Sequence, residues 1–454
     1  FLVREGIRQS GTLGQVIKKL LPQGKTTVFK AQLRILPSVA FISAFLNNTP
    51  VVVIFAPIIK HWAKSVNLPA TKFLIPLSYV TILGGICTLI GTSTNLVVHG
   101  MILEAGFEGF SMFELGKVGI FIAIAGIIYI FLFSKRLLPD ARPDTAVPDE
   151  EVEEGEKLHR VEAVLGARFP GINKKLKDFN FQRHYGAEVK EIKTRNGQRF
   201  VSNLEEVVLH EGDTLVVMAD DTFIPTWGES SVFVLLTNGN EPDTTGKKKR
   251  WFALLLLVLM IVGATVGELP ITKEMFPDIK LDMFFFVSIT TIIMAWTNLF
   301  PARKYTKYIS WDILITIACA FAISKAMVNS GVADSVAKFI IGLSDDYGPH
   351  VLLAMVFIIT NLFTELITNN AAAALAFPLA LSISAQLGVS PTPFFVVICM
   401  AASASFSTPI GYQTNLIVQG IGNYKFTDFV RIGLPLNIIT FLISIILIPL
   451  IWNL

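Results

Sequence analysis

Two short polar breaks recur at one spacing in an otherwise apolar chain, and no other feature constrains the fold as strongly. Asn47-Asn48-Thr49 precedes an apolar run ending at Pro57, and Thr368-Asn369-Asn370 precedes one ending at Pro378. Farther on, GTSTNLVVHG (91–100) matches GYQTNLIVQG (411–420). The tips lie 321 residues apart, as do the two prolines, and the second pair of motifs lies 320 apart. Two motifs that keep one spacing over so long a stretch mark an internal duplication. The same offset sets Phe1 opposite Phe321, yet the second half carries apolar segments at 251–268, 281–300 and 311–320 ahead of that point. Two or more helices are therefore expected to precede Phe1.

Composition names the solvent. The chain is 52% hydrophobic and only 16% charged, with a mean hydropathy of +0.59, whereas soluble domains carry about 25% charged residues. Several apolar runs reach the roughly 20 helical residues that cross a bilayer core. The expected fold class is a polytopic α-helical membrane protein. The net charge of +3, with basic residues scattered, gives no nucleic-acid footprint. Cys87, Cys319 and Cys399 each sit in an apolar stretch without CxxC spacing, and the six histidines are dispersed. Neither a disulfide framework nor a zinc or haem centre is indicated.

Composition also divides the chain. Residues 1–138 form a first membrane half, 139–158 an acidic, proline-bearing linker, 159–237 a soluble unit, 238–250 a basic linker and 251–454 a second membrane half. Lys135, Arg136, the 247–250 cluster, Arg303, Lys304 and Lys307 define one side of the membrane, taken as cytoplasmic. Glu268, Glu274, Asp278, Asp345 and Asp346 define the other. The soluble unit, flanked by basic ends, is expected on the cytoplasmic side of a cell membrane. Within it, Arg160–Leu165, Ala187–Lys193, Thr214–Met218 and Val232–Leu236 read as strands, Asn196-Gly197 as a hairpin turn and Asn173–Phe179 as a short helix.

Around the first tip, Ile35–Leu46 and Val51–Ile59 are apolar arms. Twelve helical residues rise about 18 Å, half a bilayer, so the expectation is a re-entrant hairpin turning at the polar tip. Such backbone is tolerated at membrane depth only where protein or a wet cavity surrounds it. The GTSTN and GYQTN segments, the second with Pro409 just ahead, read as unwound points in otherwise apolar helices. Paired tips and paired helix breaks point to a transporter's central site. Asn, Ser and Thr oxygens with glycine carbonyls suit a hard cation, and half-helix N-termini with neutral donors suit an anion. A lone Asn-Asn-Thr reads more readily as interhelical hydrogen bonding and a lone GTSTN as a kink; the equal spacing of both pairs favours transport. Glu365, the one acid beside a tip, reads as a backbone cap or partner of a cation, with proton coupling as the alternative. His99, one turn past the first break, reads as a hydrogen-bonding residue.

The Asn-Asn-Thr and Thr-Asn-Asn tips, Thr364-Glu365-Leu366 leading into the second, GTSTN and TPIGYQTN resemble the divalent anion/sodium symporter family. The resemblance covers nearly all of both membrane blocks. It implies two inverted repeats with re-entrant hairpins and broken helices, an elevator-type transport domain, and a homodimer. Carried onto this sequence, it implies one sodium site at Ser43, Asn47, Asn48 and Gly91 and a second at Thr364, Thr368, Asn369 and Gly411. Substrate would meet Asn48, Thr49, Thr92, Ser93, Asn369, Asn370, Tyr412 and Gln413. Dicarboxylate carriers usually show Ser-Asn-Thr at both tips and Thr-Pro-Pro after the break. Here Asn47, Thr368, Asn370, Thr92-Ser93 and Tyr412-Gln413 depart from that wording and resemble the branch linked to sulfate. A sodium-coupled carrier of a divalent oxyanion is thus expected, with a dicarboxylate or proton-coupled carrier as the alternative. A regulated ion channel is more distant, since no TVGYG-type filter occurs, and no nucleophile–base constellation points to an enzyme. In the soluble unit, GARFPGINKKL, HYGAEVKEIKTRNG and HEGDTLVVMAD are similar to the TrkA-C regulatory domain, which implies dimerisation or binding of a regulatory nucleotide or metabolite.

Overall fold

The computed structural model describes residues 2–140, 158–166, 168–194, 198–220, 222–228, 230, 232–237, 247–267, 269–275, 281–301, 303, 305–306, 309, 311–342 and 348–454. Most of the two linkers, the Asn196-Gly197 turn, and Glu268, Asp278, Lys304, Lys307, Asp345 and Asp346 lie outside the described residues.

The first half holds α1 (Leu2–Gln9), α2 (Thr12–Leu20), α3 (Val28–Ser43), α4 (Asn48–Ser65), α5 (Leu74–Gly85), α6 (Ser93–Glu104) and α7 (Gly116–Leu137). A sheet-bearing segment follows, with β1 (His159–Leu165), α8 (Phe181–Tyr185), β2 (Glu188–Lys193), β3 (Arg199–Phe200), β4 (Thr214–Ala219), α9 (Phe223–Trp227) and β5 (Phe233–Thr237). The chain then forms α10 (Lys247–Gly267), α11 (Pro270–Met275), α12 (Met283–Trp296), α13 (Trp311–Asn329) and α14 (Val332–Gly342). The second set of breaks is carried by α15 (Gly348–Leu366), α16 (Asn369–Leu387), α17 (Thr392–Ser403) and α18 (Gln413–Gly422), and α19 (Phe426–Trp452) closes the chain.

Five of these helices are long and apolar enough to cross a membrane, and the pair α13–α14, bent by 71°, makes a sixth if counted as one span. Their outward faces are what hydrocarbon requires. On α19, Val430, Leu434, Ile438, Leu442, Ile446 and Leu450 are all exposed, a four-residue repeat that lays one apolar stripe along the helix. On α7 the same stripe is Ile120, Ile124, Ile128 and Leu132. The inward faces of these two helices meet, with the Tyr129 hydroxyl donating to the Ile432 carbonyl at 3.0 Å. By contrast, every residue of α5 is buried, as is nearly every residue of α17. A helix apolar all round belongs at the centre of the bundle.

The hairpin arms run longer than their apolar cores. α3 has 16 residues and α4 has 18, so each spans about 24–27 Å instead of half a bilayer. Polar outer turns explain the difference: Thr27 caps α3 through Lys30, and Lys60, His61 and Lys64 extend α4 past Ile59.

The sheet is antiparallel throughout, in the order β3-β2-β4-β1-β5. Successive side chains alternate between its faces. Val161, Ala163 and Leu165 of β1, with Leu215, Val217 and Ala219 of β4, face an aromatic core containing Phe169, Phe179, Phe181, Tyr185 and Phe233. The other face lies on the membrane helices. Val164 and Leu235 belong to the membrane bundle's own core, Lys60 of α4 bonds Glu162 at 2.9 Å, and Gly420 of α18 lies against Thr214, where an added Cβ would fall 2.5 Å from the hydroxyl. Both faces of the central strands are thus covered. The stretch expected as a helix at Asn173–Phe179 is instead one 3-10 turn at Leu176–Asp178. Asn173 takes a left-handed φ of 61° and Lys175 bridges Val208 as extended chain; the helix starts only after Asn180, whose side chain caps Arg183.

Candidate transport site

Four helix ends converge between the halves. The α3–α4 tip is residues 44–47 and the α15–α16 tip residues 367–368, while the chain unwinds over 86–92 between α5 and α6 and over 404–412 between α17 and α18. The unwinding begins earlier than the glycine motifs, just after Gly85 and Ser403.

The same bonds recur in both halves. Ser43 donates to Asn48 Oδ1 at 2.8 Å, and Thr364 donates to Asn369 Oδ1 at 2.9 Å. Thr88 donates to the Ala44 carbonyl, and Thr408 to the Glu365 carbonyl at 3.0 Å. The Gly91 amide reaches the Thr88 hydroxyl at 3.1 Å, and the Gly411 amide the Thr408 hydroxyl at 3.3 Å. The Asn95 amide donates to the Thr88 carbonyl at 2.9 Å, and that of Asn415 to the Thr408 carbonyl at 3.1 Å. Each break is therefore tied to its own hairpin tip by a threonine that satisfies backbone groups freed by the unwinding. The glycines are required by close approach. A Cβ on Gly91 would fall 2.4 Å from the Gly85 carbonyl, and one on Gly411 would fall 2.0 Å from Ser405 Oγ and 2.4 Å from the Thr364 carbonyl.

Across the halves the contacts also pair. Thr49 meets Gln413 at 3.3 Å, and Ser93 meets Asn370 at 3.3 Å, with Thr94 on the same oxygen. At the centre stands the Tyr412 hydroxyl, which accepts from Asn48 Nδ2 at 2.5 Å, lies 3.0 Å from Thr92 Oγ1 and interacts with Asn369. Asn48, Thr92, Asn369 and Tyr412 are all buried, whereas Gln413 is exposed.

Of the residues carried over by resemblance, Ser43, Asn48 and Gly91 come together in one cage, and Thr364, Asn369 and Gly411 in the other. Thr368 takes a different place. Thr368 is exposed and its hydroxyl caps α16 at Ala371; Asn47 is the N-cap of α4 and makes no cap bond. The sequence reading also missed Ser405. It occupies, at the 320-residue offset, the place of Gly85, and projecting Gly85 forward by that offset would have found it. Glu365 caps the Ser407 amide at 2.9 Å. His99 accepts from the Phe110 amide through Nδ1 at 3.0 Å.

The chemistry is that of neutral oxygens and amides. Among the described residues no three His, Cys, Asp or Glu side chains group as metal ligands, and the cages offer carboxamide, hydroxyl and carbonyl oxygens, the donor set of hard, weakly held cations. Anions favour amide hydrogens and helix N-termini, which the starts of α4, α6, α16 and α18 supply at one place.

A multi-pass helical protein with two matching polar breaks buried at its centre is a membrane transporter. Comparison with known proteins makes this specific: the family model described as Citrate transporter matches residues 1–388 and 279–453. The chain belongs to that family, whose members are transporters and not enzymes. It is 29% identical to an uncharacterized transporter of Synechocystis, over 100% of this chain and 88% of that one. It is also 31% and 30% identical to sodium/sulfate cotransporters 2 and 1 of Chlamydomonas reinhardtii, over 62% of this chain and 31% of theirs.

Proposed function

We propose that the protein is a sodium-coupled symporter of a divalent inorganic oxyanion, with sulfate as the substrate. The observation that carries this reading is the Tyr412 hydroxyl between Asn48, Thr92 and Asn369. The phenol occupies the place where the halves meet, and its hydroxyl, together with the amides and hydroxyls beside it, supplies the kind of donors that suit a compact tetrahedral anion. Sodium ions in the two cages would fix Asn48 and Asn369, aligning their amides, and the anion would bind next because the cations offset its charge. The names of the algal cotransporters support this choice. The repeats are inverted, the hairpin tips reach the membrane's interior, and a homodimeric scaffold lets the transport domain cross as an elevator in the cell membrane. The segment 159–237, on the cytoplasmic side, is a TrkA-C-like regulatory domain open to a nucleotide or metabolite.

The family's description as Citrate transporter favours a second reading, an organic-anion carrier with sodium or proton coupling. Radiolabelled sulfate uptake into proteoliposomes, with and without a sodium gradient, tests the choice. Sodium-driven uptake inhibited by unlabelled sulfate but not by succinate supports the first reading; competition by succinate alone reverses it.

A further inference from the structure

The second cage holds a charge that the first lacks. Glu365 stands where the first half has Ala44. Its Oε1 accepts from the Ser407 amide at 2.9 Å and from Asn437 Nδ2 of α19 at 2.7 Å. Its Oε2 lies 3.4 Å from Ser405 Oγ. That hydroxyl also reaches the Thr364 carbonyl at 3.3 Å and is the atom crowding Gly411. Asn437 in turn holds the Ser407 hydroxyl at 2.9 Å. The carboxylate is half-buried, every recorded partner is neutral, and among the described residues it forms no salt bridge. An acidic group within a membrane protein normally faces a partner of opposite charge. Among the described residues no cationic side chain pairs with it, and the cage it adjoins through Ser405 is where an opposite charge would sit.

We infer that Glu365 is a positioning residue that makes the Thr364–Asn369–Ser405–Gly411 cage the tighter of the two cation sites. It acts through Ser405 and through the field it sets up, while the Ser43–Asn48–Gly91 cage binds its cation more weakly and later. This rests on the sodium-symport reading. The alternative role, a purely structural stitch between α15, the 404–412 segment and α19, is kept by any side chain that accepts the Ser407 and Asn437 bonds.

The experiment separates these. Purified protein is titrated with sodium chloride against choline chloride, with thermal stabilisation as the readout, and uptake is measured over the same range. Glu365→Gln keeps an acceptor for Ser407 and Asn437 but removes the charge. It is expected to raise the half-saturating sodium concentration about tenfold or more, with the maximal uptake rate at saturating sodium within about twofold of the parent. Glu365→Asp, which keeps the charge, should stay within about threefold of the parent, and it carries the test if the glutamine variant does not fold. An unchanged sodium titration in Glu365→Gln overturns the inference, as does a loss of maximal rate alone. A parent protein with no sodium response in either readout sinks the symport reading itself, whereas a parent response that Glu365→Gln leaves intact sinks only the role of Glu365.

Discussion

In the first half, the tip carbonyl that receives the Thr88 hydroxyl belongs to Ala44; in the second, the carbonyl that receives Thr408 belongs to Glu365. Around these equivalent bonds the halves diverge at neighbouring positions. Gly85 faces Ser405, and Thr92-Ser93 faces Tyr412-Gln413. The shared part is backbone satisfaction: a threonine, a glycine and an asparagine hold each unwound segment against its hairpin. In the divergent part Tyr412 reaches across to Asn48 and Thr92 of the other half, whereas Ser405 and Glu365 bond within the second. The two cradles are thus alike in what holds the backbone and differ in the side chains set around it. A single tyrosine can bridge the halves because its counterpart is the small Thr92.

The most severe test removes the shared part. Asn48→Ala and Asn369→Ala each delete a carboxamide that accepts a tip hydroxyl and meets Tyr412. Leaving buried partners unpaired costs about 1–3 kcal/mol apiece. Sodium-driven uptake should fall about a hundredfold or more in both, and equal losses would show that the halves contribute alike. Unchanged uptake in either variant would remove that half from the site. Next in size is Tyr412→Phe, which keeps the ring and deletes the shared hydroxyl. The anion concentration for half-maximal uptake is expected to rise about tenfold, with a smaller change in sodium dependence; a shift confined to sodium would place the phenol at a cation site instead.

A weaker effect is expected when the halves are made alike. Ser405→Gly turns the second cage into the image of the first and should raise the half-saturating sodium concentration about threefold to tenfold. The reverse change, Gly85→Ser, is not its mirror, because a Cβ there would fall 2.5 Å from Asn48 Oδ1 and 3.1 Å from the Gly91 carbonyl. It should lower thermal stability and uptake together. A harmless Gly85→Ser would mean that the first cage is looser than its contacts indicate.

The tips and breaks were legible in the sequence because polar residues inside apolar helices stand out, and a fixed offset makes each half a check on the other. The offset could not say which polar side chain at a tip faces inward. Asn47 and Thr368 look as eligible as Asn48 and Asn369, but Thr368 spends its hydroxyl capping its own helix, whereas Asn48 and Asn369 accept from Ser43 and Thr364. Ser405 was invisible for a plainer reason: in AASASFSTP one serine looks like the next, and only the opposed Gly85 singles it out. The strands β1, β2, β4 and β5 could be read from their apolar runs, whereas β3, two residues long, leaves no pattern. The unbroken apolar run in β4 had a cause that became visible only in three dimensions: β4 lies between β1 and β2 in the sheet, and its end at Thr214 lies against Gly420 of α18.

The smallest effect on uptake is expected where the sheet joins the two halves, at α4 and α18. Burial alone would raise the Glu162 carboxyl, but Lys60 and Lys193 outweigh it and hold the group down at about 2. A carboxyl depressed in the folded protein stabilises it at pH values above its unfolded range, and the contribution is lost as the pH falls from about 4.5 toward 2. The full shift is worth roughly 3 kcal/mol, and more than half of it should be gone by pH 3. Thermal unfolding of the parent should therefore fall more steeply between pH 5 and pH 3 than that of Glu162→Gln, whose profile loses this contribution, while uptake at pH 7 differs by less than about twofold. Parallel pH profiles would mean that the Lys60 pair does not hold the sheet, leaving the apolar contacts of Val164 and Leu235 and the approach of Gly420 to Thr214 to tie it to the bundle.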